Sequence, residues 1–348
     1  MVLAGLAQRR GARLFLSLLL AFLLAPACTT NPASPPAAAT PSATITISPA
    51  VQPSVSPSIQ PSARPAVSPV ARPAVPNFGH IFVILMENKE YDQILGSDQA
   101  PYLNQLAHTY AVATRYYGVR HPSLPNYLAL ISGSTQGISD DCPTCTVSAT
   151  NLADQLATHG KSWIAYMEDL PSPCFNGPTA NMNLLGRGGY ARKHDPWMYF
   201  ADVSGNPVRC RRVVPLSQWQ GDLHKGRLPD FVWFTPNLQH DMHDGSIAEG
   251  DAWLAGLVPP ILASPAWQKD GVLFIVWDEG TSDAGPDGTS AGGRTLAFVV
   301  AAQGKRDYQS DAVYNQYSLL RTIEEAWQLG FLGHAGDADV ASLAEFFK

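Results

Sequence analysis

The sequence predicts an α/β fold, with helices on both faces of a mostly parallel central sheet. From residue 78 onward, strand-like segments alternate with helix-like segments, which is typical of chains whose helices connect parallel strands. The strand-like segments are short apolar runs rich in Val, Ile and Phe, and this pattern indicates strands buried on both faces. With 45% hydrophobic residues, the chain has ample material for one large core.

Six strands and six helices are predicted along the domain. The strand candidates are 80–87, 112–119, 162–168, 230–235, 271–278 and 295–302. The helix candidates are 100–110, 124–132, 150–160, 216–225, 247–263 and 315–329. The stretch at 171–214 breaks this alternation, because it is rich in Gly, Pro, Asn and Arg and holds two cysteines. We interpret it as a long insertion that covers the functional site.

Residues 1–28 have the features of a secretory signal peptide. Three arginines precede an apolar core at 14–25, which is short for a membrane-spanning helix. The segment ends in A-P-A-C, so Cys28 resembles the lipidated cysteine of a bacterial lipobox, although an alanine stands where leucine is usual. Ordinary cleavage just before that cysteine is the alternative. In both cases we expect an exported protein, either a cell-surface lipoprotein or a secreted one.

Residues 29–77 are nearly all Pro, Ser, Ala, Thr and Val, with almost no charge. Such a tract cannot bury enough apolar surface to fold, so we expect a disordered linker. Pro-rich chains extend by ~3.1 Å per residue, so about fifty residues reach on the order of 150 Å. The linker would tether the folded domain, residues 78–348, to the membrane or cell wall. The net charge of −6, with no basic patch, argues against nucleic-acid binding.

The cysteine count agrees with export. If Cys28 is set aside as a lipid attachment site, four cysteines remain, and an even number in an exported chain suggests disulfides. Three pairings are possible, and proximity along the chain favours Cys142–Cys145 with Cys174–Cys210. The C-P-T-C spacing also occurs in zinc and redox sites, but the chain has no second C-x-x-C, which disfavours a structural zinc.

Two clusters of oxygen ligands close two of the predicted strands. Glu87-Asn88 ends the run H-I-F-V-I-L-M-E-N, and Asp278-Glu279 ends the run G-V-L-F-I-V-W-D-E. Unpaired buried carboxylates are costly, and open α/β sheets bind their ligands beyond the carboxyl ends of the strands. One shared divalent cation would explain both clusters. For either cluster alone, the alternative interpretation is that its carboxylates simply begin a loop and face solvent.

A serine stands between a strand candidate and a helix candidate in G-V-R-H-P-S-L-P-N-Y (118–127). Pro125 falls in the first turn of the helix, where proline is favoured, and Ser123 then falls at the N-cap. Capping alone is the commoner role of such a serine. The free N–H groups and the positive dipole end of a helix also suit a phosphate and a serine nucleophile, with His121 and Asn126 as flanking donors to the substrate.

A further polar cluster, Asp241, His243 and Asp244, follows the strand candidate at 230–235. A short motif of this kind is more often a polar loop than a site. Its position beyond a strand end favours a site, with His243 as the general acid for the leaving alkoxide and the two aspartates as substrate-binding groups. A role for His240 stays open. Surface or packing positions are predicted for His80, His108, His159, His194, His224 and His334.

Four motifs resemble the alkaline-phosphatase-like superfamily: H-P-S-L-P-N-Y is similar to its nucleophile segment, and the other three more closely resemble its bacterial phosphoesterase family. They are M-E-N-K-E-Y-D (86–92), H-P-S-L-P-N-Y (121–127), P-N-L-Q-H-D-M-H-D (236–244) and V-W-D-E-G (276–280), in the family's order over roughly residues 78–330. That family contains acid phosphatases and phosphatidylcholine-type phospholipases C. Each motif alone is weak, whereas jointly they are specific.

The resemblance implies a metal-dependent phosphoesterase in which Ser123 is the nucleophile and forms a phosphoserine. A bound metal would lower the pKa of this serine and neutralise the phosphoryl oxygens. Asn126 would bind an equatorial oxygen of the transition state. The implied metal ligands are Glu87, Asn88, Asp278 and Glu279.

Two departures from the family pattern bear on the site. Relatives often carry cysteines on either side of D-M-H-D, where this chain has Gln239 and Gly245. Superfamily relatives often place a metal-binding histidine where this chain has Arg294, which favours one ion over a two-zinc site. Because the implied ligands are mainly oxygens, Mg²⁺, Mn²⁺ or Ca²⁺ fits better than Zn²⁺.

The leading prediction is an exported hydrolase of small phosphate esters, similar to acid phosphatases. A phospholipase C or another phosphodiesterase that acts on a phospholipid headgroup is the close alternative, because a sequence does not reveal an aromatic cage for choline. A solute-binding lipoprotein would share the signal, the tether and the α/β domain. It would leave the acidic clusters and the serine without a role.

Overall fold

A computed structural model of the protein describes residues 74–347. The predicted signal peptide at 1–28 and residues 29–73 of the predicted linker lie outside this described range. Among the described residues, no helix is both long enough and apolar enough to cross a bilayer.

A mixed, mostly parallel sheet of eight strands forms the centre of the domain. Including two strands outside this sheet, the strands of the described residues are β1 (His80–Met86), β2 (Ala111–Tyr117), β3 (Trp163–Met167), β4 (Thr179–Ala180), β5 (Tyr190–Ala191), β6 (Val213–Pro215), β7 (Phe231–Thr235), β8 (Gly271–Trp277), β9 (Arg294–Ala301) and β10 (Tyr308–Asn315). The sheet order is β10-β2-β9-β8-β1-β7-β3-β6, with β9 antiparallel to both neighbours and the other pairs parallel. Strands β4 and β5 pair separately as an antiparallel ribbon.

Helices cover both faces of this sheet. They are α1 (Tyr91–Ile94), α2 (Pro101–Thr109), α3 (Ser123–Ser132), α4 (Leu152–Thr158), α5 (Ala201–Ser204), α6 (Trp219–Lys225), α7 (Ile247–Ala263), α8 (Pro265–Asp270) and α9 (Gln316–Trp327). Because side chains alternate along a strand, β1 sends Ile81, Val83 and Leu85 into the core beneath α3, α4 and α9. Its residues Phe82, Ile84 and Met86 enter the core beneath α2, α7 and α8. The predicted fold class is therefore confirmed.

All six predicted strands and six predicted helices are present, and apart from the helix predicted at 216–225 their ends differ from the prediction by at most two residues. The helix predicted at 216–225 divides into a 3₁₀ turn, Leu216–Gln218, and α6. Strand β10 was not predicted, because Y-Q-S-D-A-V-Y-N has no continuous apolar run. Its half-exposed burial pattern is that of an edge strand. The short elements β6 and α8 carry too few residues for a periodic signal.

The insertion predicted at 171–214 is a folded part of the domain. It contributes the β4–β5 ribbon, the edge strand β6 and two 3₁₀ turns, Arg192–His194 and Pro196–Tyr199. Both predicted disulfides form, Cys142–Cys145 and Cys174–Cys210. The buried Arg192 guanidinium joins the insertion to the first disulfide loop, donating to Pro143 O at 2.7 Å and Cys145 O at 3.2 Å. This anchoring fixes the residues that follow Arg192.

The carboxyl ends of β7, β1 and β8 lie side by side, because these three strands are adjacent and parallel. The loops that leave them carry Asp241, Glu87 and Asp278. Helix α3, which begins with Ser123, follows β2 from the same edge of the sheet. The polar clusters thus converge beyond the carboxyl ends of the strands, where ligands of open α/β sheets bind.

Candidate active site

Ser123 lies at the centre of the convergent polar residues. Its side chain is buried, with 1% relative exposure. Its hydroxyl donates to Glu87 Oε2 at 3.0 Å and lies 3.4 Å from Glu279 Oε1. One hydroxyl therefore contacts carboxylates from the ends of two different strands.

The predicted N-cap role of Ser123 is wrong by one position. The cap residue is Pro122, and Ser123 is the first residue of α3. The main-chain N–H of Leu124, which has no partner within the helix, donates to Asp141 Oδ1 at 3.1 Å. Asp141, from another part of the chain, thus accepts an N–H bond at the start of α3, and the Ser123 hydroxyl faces the carboxylates instead.

Four carboxylates are buried at this site: Glu87, Asp241, Asp278 and Glu279. Burial, reinforced by the charge of Asp278, raises the pKa of Glu87 well above its usual value. Burial and the charge of Glu87 do the same to the pKa of Asp241, and burial and Glu279 do the same to the pKa of Asp278. The pKa of Glu279 rises to about 8, mainly through burial and then through Glu87. These groups are costly to ionise together unless a cation shares the space.

Two imidazoles, each oriented by an aspartate, complete the cluster. His194 Nδ1 pairs with Asp241 Oδ2 at 3.1 Å, and His243 Nδ1 pairs with Asp244 Oδ1 at 3.0 Å. Asp241 also accepts from the main-chain N–H of His243 at 2.7 Å, which ties the two pairs together. A carboxylate on one ring nitrogen, with the other nitrogen facing a common centre, is the usual arrangement around metal-binding histidines.

The donor set fits a divalent metal ion. Ligand atoms of Glu87, His194 and His243 all lie within 4.8 Å of one another. Within the described chain, two buried atoms at this place have no hydrogen-bond partner: Asp278 Oδ2 and His194 Nε2. His194 Nε2 lies 3.0 Å from Glu87 Oε1 without the geometry of a hydrogen bond. Unsatisfied buried polar atoms are costly, whereas a cation would bind both.

His194 packs in the interior, which is one of the two positions predicted for it, but it also lies among the site residues, which sequence reasoning missed. It is buried, and its ring stacks on Tyr127 with centroids 5.1 Å apart. The Tyr127 hydroxyl in turn donates to Glu87 Oε1 at 2.6 Å. His194 reaches the site from the insertion, in the run R-K-H-D, which shares no spacing with the other motifs. The only signal in the sequence is a histidine next to charged residues in an otherwise irregular segment.

Lys193 is a second residue that sequence reasoning missed. Its ammonium group donates to Asp141 Oδ2 at 2.9 Å and lies 3.1 Å from His243 Nε2. Burial by itself would lower the pKa of Lys193, but the charges of Glu87 and Asp141 outweigh it and raise that pKa. Burial and the charge of Lys193 lower the pKa of His243. A positive charge therefore stands beside the candidate general acid.

His121 and Asn126 lie at the site, but their side chains form hydrogen bonds with other groups of the protein. His121 Nδ1 lies 2.8 Å from Glu279 Oε2, and its Nε2 lies 2.9 Å from Ser282 O. The fully buried Asn126 accepts from Val119 N at 2.8 Å and donates to Arg120 O at 2.7 Å and to Glu279 Oε2 at 3.3 Å. This geometry supports Glu279 and the loop before the serine, rather than leaving both side chains free for substrate.

Asn88 approaches the cluster through its main chain, whose N–H donates to Asp278 Oδ1 at 3.3 Å. His240 lies apart, paired with Glu168 at 2.9 Å and stacked on an indole ring. Arg294 donates to Thr114 O at 2.8 Å and covers the ring of Tyr91. These contacts give Arg294 a structural role in the loop packing.

A cavity of about 320 Å³ shares His243, Asp244, Lys193 and Asp141 with the cluster. The insertion lines this cavity with further residues, including Met182, Gly186 and Arg187. The insertion predicted to cover the site therefore lines the cavity next to it.

Comparisons with known proteins show the family to which the chain belongs. The profile of the Phosphoesterase family matches residues 97–330. The phosphatidylinositol-3-phosphatase of Mycobacterium tuberculosis is 33% identical over 268 residues, which cover 76% of this chain and 82% of that protein. The probable acid phosphatase of Kluyveromyces lactis is 29% identical over 273 residues, covering 76% of this chain and 62% of the relative. The acid phosphatase of Aspergillus fumigatus is 28% identical over 261 residues, covering 74% and 56%. The chain thus spans only part of the length of these fungal relatives.

Two solved structures share the fold. The phosphonate monoester hydrolase of Agrobacterium radiobacter aligns with a TM-score of 0.51 at 12% identity, over 77% of each chain. Murine ectonucleotide pyrophosphatase/phosphodiesterase 5 aligns with a TM-score of 0.50 at 10% identity, over 77% of this chain and 100% of the other. At such low identity these alignments bear on the fold alone.

The sheet, the buried serine and the relatives define a hydrolase that acts on phosphate esters. The family match covers well over half of the chain, and the mycobacterial relative passes 30% identity over most of both proteins. The chain belongs to the Phosphoesterase family.

Proposed function

We propose that this protein is an exported, metal-dependent phosphatase that hydrolyses phosphate monoesters through a phosphoserine at Ser123. The observation that carries the proposal is the position of the Ser123 hydroxyl between Glu87 and Glu279, which belong to different strand ends. A hydroxyl used only for helix capping would instead bond the main chain of its own helix.

The reaction would proceed in two displacements. Ser123 Oγ gives its proton to Glu87 Oε2 and attacks phosphorus in line with the ester oxygen, so that a P–O bond forms as the ester P–O bond breaks. The leaving alkoxide takes a proton from His243 Nε2. In the second displacement, water gives a proton to His243 Nε2 and attacks phosphorus, and the P–Oγ bond of the phosphoserine breaks. Ser123 Oγ then recovers its proton from the same Glu87 carboxyl group, so both residues return to their starting states. A divalent cation, when bound, neutralises the phosphoryl oxygens and favours the serine alkoxide.

The metal would be held by the oxygen ligands predicted from the sequence, Glu87, Asn88, Asp278 and Glu279, together with His194. Imidazole nitrogen suits Mn²⁺ and Zn²⁺ better than Mg²⁺ or Ca²⁺. The sequence favoured Mg²⁺, Mn²⁺ or Ca²⁺ over Zn²⁺ because the implied ligands were mainly oxygens. With His194 in the set, we favour Mn²⁺ among those three metals, with Zn²⁺ as its competitor.

His243 has two possible duties, general acid or metal ligand. Its Nδ1 is occupied by Asp244, so only Nε2 faces the site, next to Lys193. As general acid, His243 matters most for poor leaving groups, so His243→Ala should slow an alkyl phosphate strongly and p-nitrophenyl phosphate mildly. Metal content should stay near that of the wild type. Loss of metal, or equal slowing of both substrates, would make His243 a ligand or a structural residue instead.

The substrate would be a small phosphate ester or a phosphorylated lipid headgroup. The name of the mycobacterial relative and those of the fungal acid phosphatases support a monoester. The deciding experiment compares p-nitrophenyl phosphate with bis-p-nitrophenyl phosphate, each with and without EDTA. Faster cleavage of the monoester, lost with EDTA and restored by Mn²⁺ or Zn²⁺, is expected. Preference for the bis-ester would favour a phospholipase C or another phosphodiesterase, and turnover indifferent to EDTA would end the metal proposal.

Export rests on the signal-like segment at 1–28 and on the two disulfides, which persist in oxidising compartments. Fractionation of cells should recover the protein outside the cytoplasm. Labelling with a radioactive fatty acid that depends on Cys28 would distinguish a lipoprotein from a secreted protein.

A further inference from the structure

A structured turn projects two leucines into solvent beside the candidate active site. Leu184 and Leu185 have relative exposures of 105% and 82%. The Asn183 side chain accepts from Leu185 N at 2.9 Å and from Arg187 N at 3.0 Å. Main-chain bonds from Asn183 N to Arg187 O and from Gly186 N to Asn183 O, both 2.9 Å, close the same turn. The turn therefore holds the leucines outward through a defined set of hydrogen bonds.

This turn is continuous with the cavity next to the nucleophile. Met182, Gly186 and Arg187, which flank the leucines, line that cavity together with Lys193 and His243. The Asp244 carboxylate, which orients His243, accepts from Gly188 N at 2.9 Å at the end of the turn. A surface that contacts the leucines would thus lie at the entrance to the candidate active site. A phosphate ester on that surface would be within reach of the site.

The charge of the insertion is opposite to that of the protein. Residues 171–214 contain six basic and two acidic side chains, a net charge of +4, whereas the whole chain carries −6. Arg187, next to the leucines, and Arg211 are exposed. A cationic segment attracts anionic surfaces, and lipid headgroups that carry phosphate provide such a surface.

Patch size favours a lipid surface over a protein partner. Stable protein interfaces bury about 800 Å² on each side, and two adjacent leucines on one turn provide far less. Apolar side chains flanked by cationic ones are instead suited to shallow insertion at the boundary between headgroups and acyl chains.

We propose that the 183–187 turn docks the enzyme on anionic lipid surfaces and presents lipids with a terminal phosphate monoester to Ser123. This inference rests on the proposed phosphatase activity and assigns its substrate class. It is separate from any attachment through the N-terminus.

The test uses the full chain with Cys28→Ala in every variant, so that no lipid is attached. The Leu184→Ser/Leu185→Ser variant is compared with Val208→Ser, because Val208 is an apolar residue of the same insertion, 70% exposed, and is not among those lining the cavity. Binding is measured by sedimentation with phosphatidylcholine vesicles, with and without dioleoyl phosphatidic acid. Turnover is measured on those vesicles, on monomeric dihexanoyl phosphatidic acid and on p-nitrophenyl phosphate.

The double variant should lose about tenfold or more in vesicle binding and vesicle turnover, while both soluble substrates are cleaved at the wild-type rate. Val208→Ser should match the wild type throughout. Equal vesicle turnover by the double variant and the wild type would overturn the docking proposal, as would equal loss in the Val208 variant. If the wild type cleaves neither soluble substrate, the phosphatase proposal fails instead, and the sedimentation result still tests docking.

A second measurement tests directly whether the 183–187 turn contacts lipid. A Leu184→Cys variant, labelled with an environment-sensitive fluorophore, should shift its emission to the blue when anionic vesicles are added, whereas a label at Val208→Cys should not. The four cysteines of the domain are paired in disulfides and stay unlabelled. Absence of a shift at position 184, or a shift that arises on self-association without lipid, would overturn docking on lipid.

Discussion

Replacement of Ser123 by alanine separates its catalytic role from its structural one. The change removes a single oxygen from a fully packed position, so it opens no cavity of note. It deletes one hydroxyl that donates to Glu87 at 3.0 Å and approaches Glu279 at 3.4 Å. A hydrogen bond of this kind contributes about 0.5–1.5 kcal/mol net to stability. Because Asp141 satisfies the Leu124 N–H, no cap is lost.

The expected effect on turnover is far larger. Without the nucleophile the two-step route is closed, and we expect kcat to fall by about 10⁴-fold or more, which corresponds to about 5 kcal/mol in the activation free energy. The free energy of unfolding should fall by only about 1 kcal/mol. The ratio between these two effects is what identifies a nucleophile.

Ser132→Ala is the matched control. Ser132 is also buried and belongs to the same helix, but its hydroxyl donates to Leu128 O at 2.7 Å, at the far end from the site. Both variants should lose similar stability in urea or thermal unfolding, and only Ser123→Ala should lose turnover of p-nitrophenyl phosphate. Mass spectrometry of acid-quenched wild-type enzyme should find the phosphoryl group on the peptide that contains Ser123. The reasoning is refuted if the Ser123 variant retains more than a few per cent of wild-type activity.

Three other predictions concern the metal, pH-dependent stability and the linker. His194→Ala should release the bound metal, measured by elemental analysis, and abolish turnover. The control variant His159→Ala, distant from the site, should keep both the metal and the turnover. If the His194 variant retains the metal, His194 is not a ligand. Glu324 is buried in α9, and burial raises its pKa from 4.5 to about 8. Between these pH values the unfolded chain releases a proton that the folded protein keeps, so the free energy of unfolding falls as pH rises, by at most about 5 kcal/mol. Glu324→Gln should therefore be more stable than the wild type at pH 8 but not at pH 4, and an identical pH dependence in both proteins would argue against a neutral, buried Glu324. A chain that begins at Pro76 should keep full specific activity, because the composition of 29–77 predicts no folded structure; a large drop in kcat would give the linker a part in the site.

The elements with strong local patterns could be predicted from the sequence. Strands β1 and β8 are continuous apolar runs, and burial on both faces produces that signal directly. Helix α7 matches its predicted range of 247–263, because Ser246 and Glu249 form a capping box at its start. Adjacent parallel strands share one carboxyl edge, so the approach of Glu87 toward Asp278 and Glu279 also follows from local patterns together with a general rule of α/β sheets.

Other features were decided by the tertiary structure, because they depend on contacts between segments that share no pattern. Asp141, from the loop beside the first disulfide, accepts from the N–H of Leu124 at the start of α3, and the Ser123 hydroxyl faces Glu87. His194 enters the site because Arg192 is anchored to the carbonyls of that same loop. An irregular insertion has no periodicity from which such a position can be read. The sequence thus determined which strands carry carboxylates to the edge of the sheet, and only the packed chain decided that imidazole and ammonium groups from the insertion would face them.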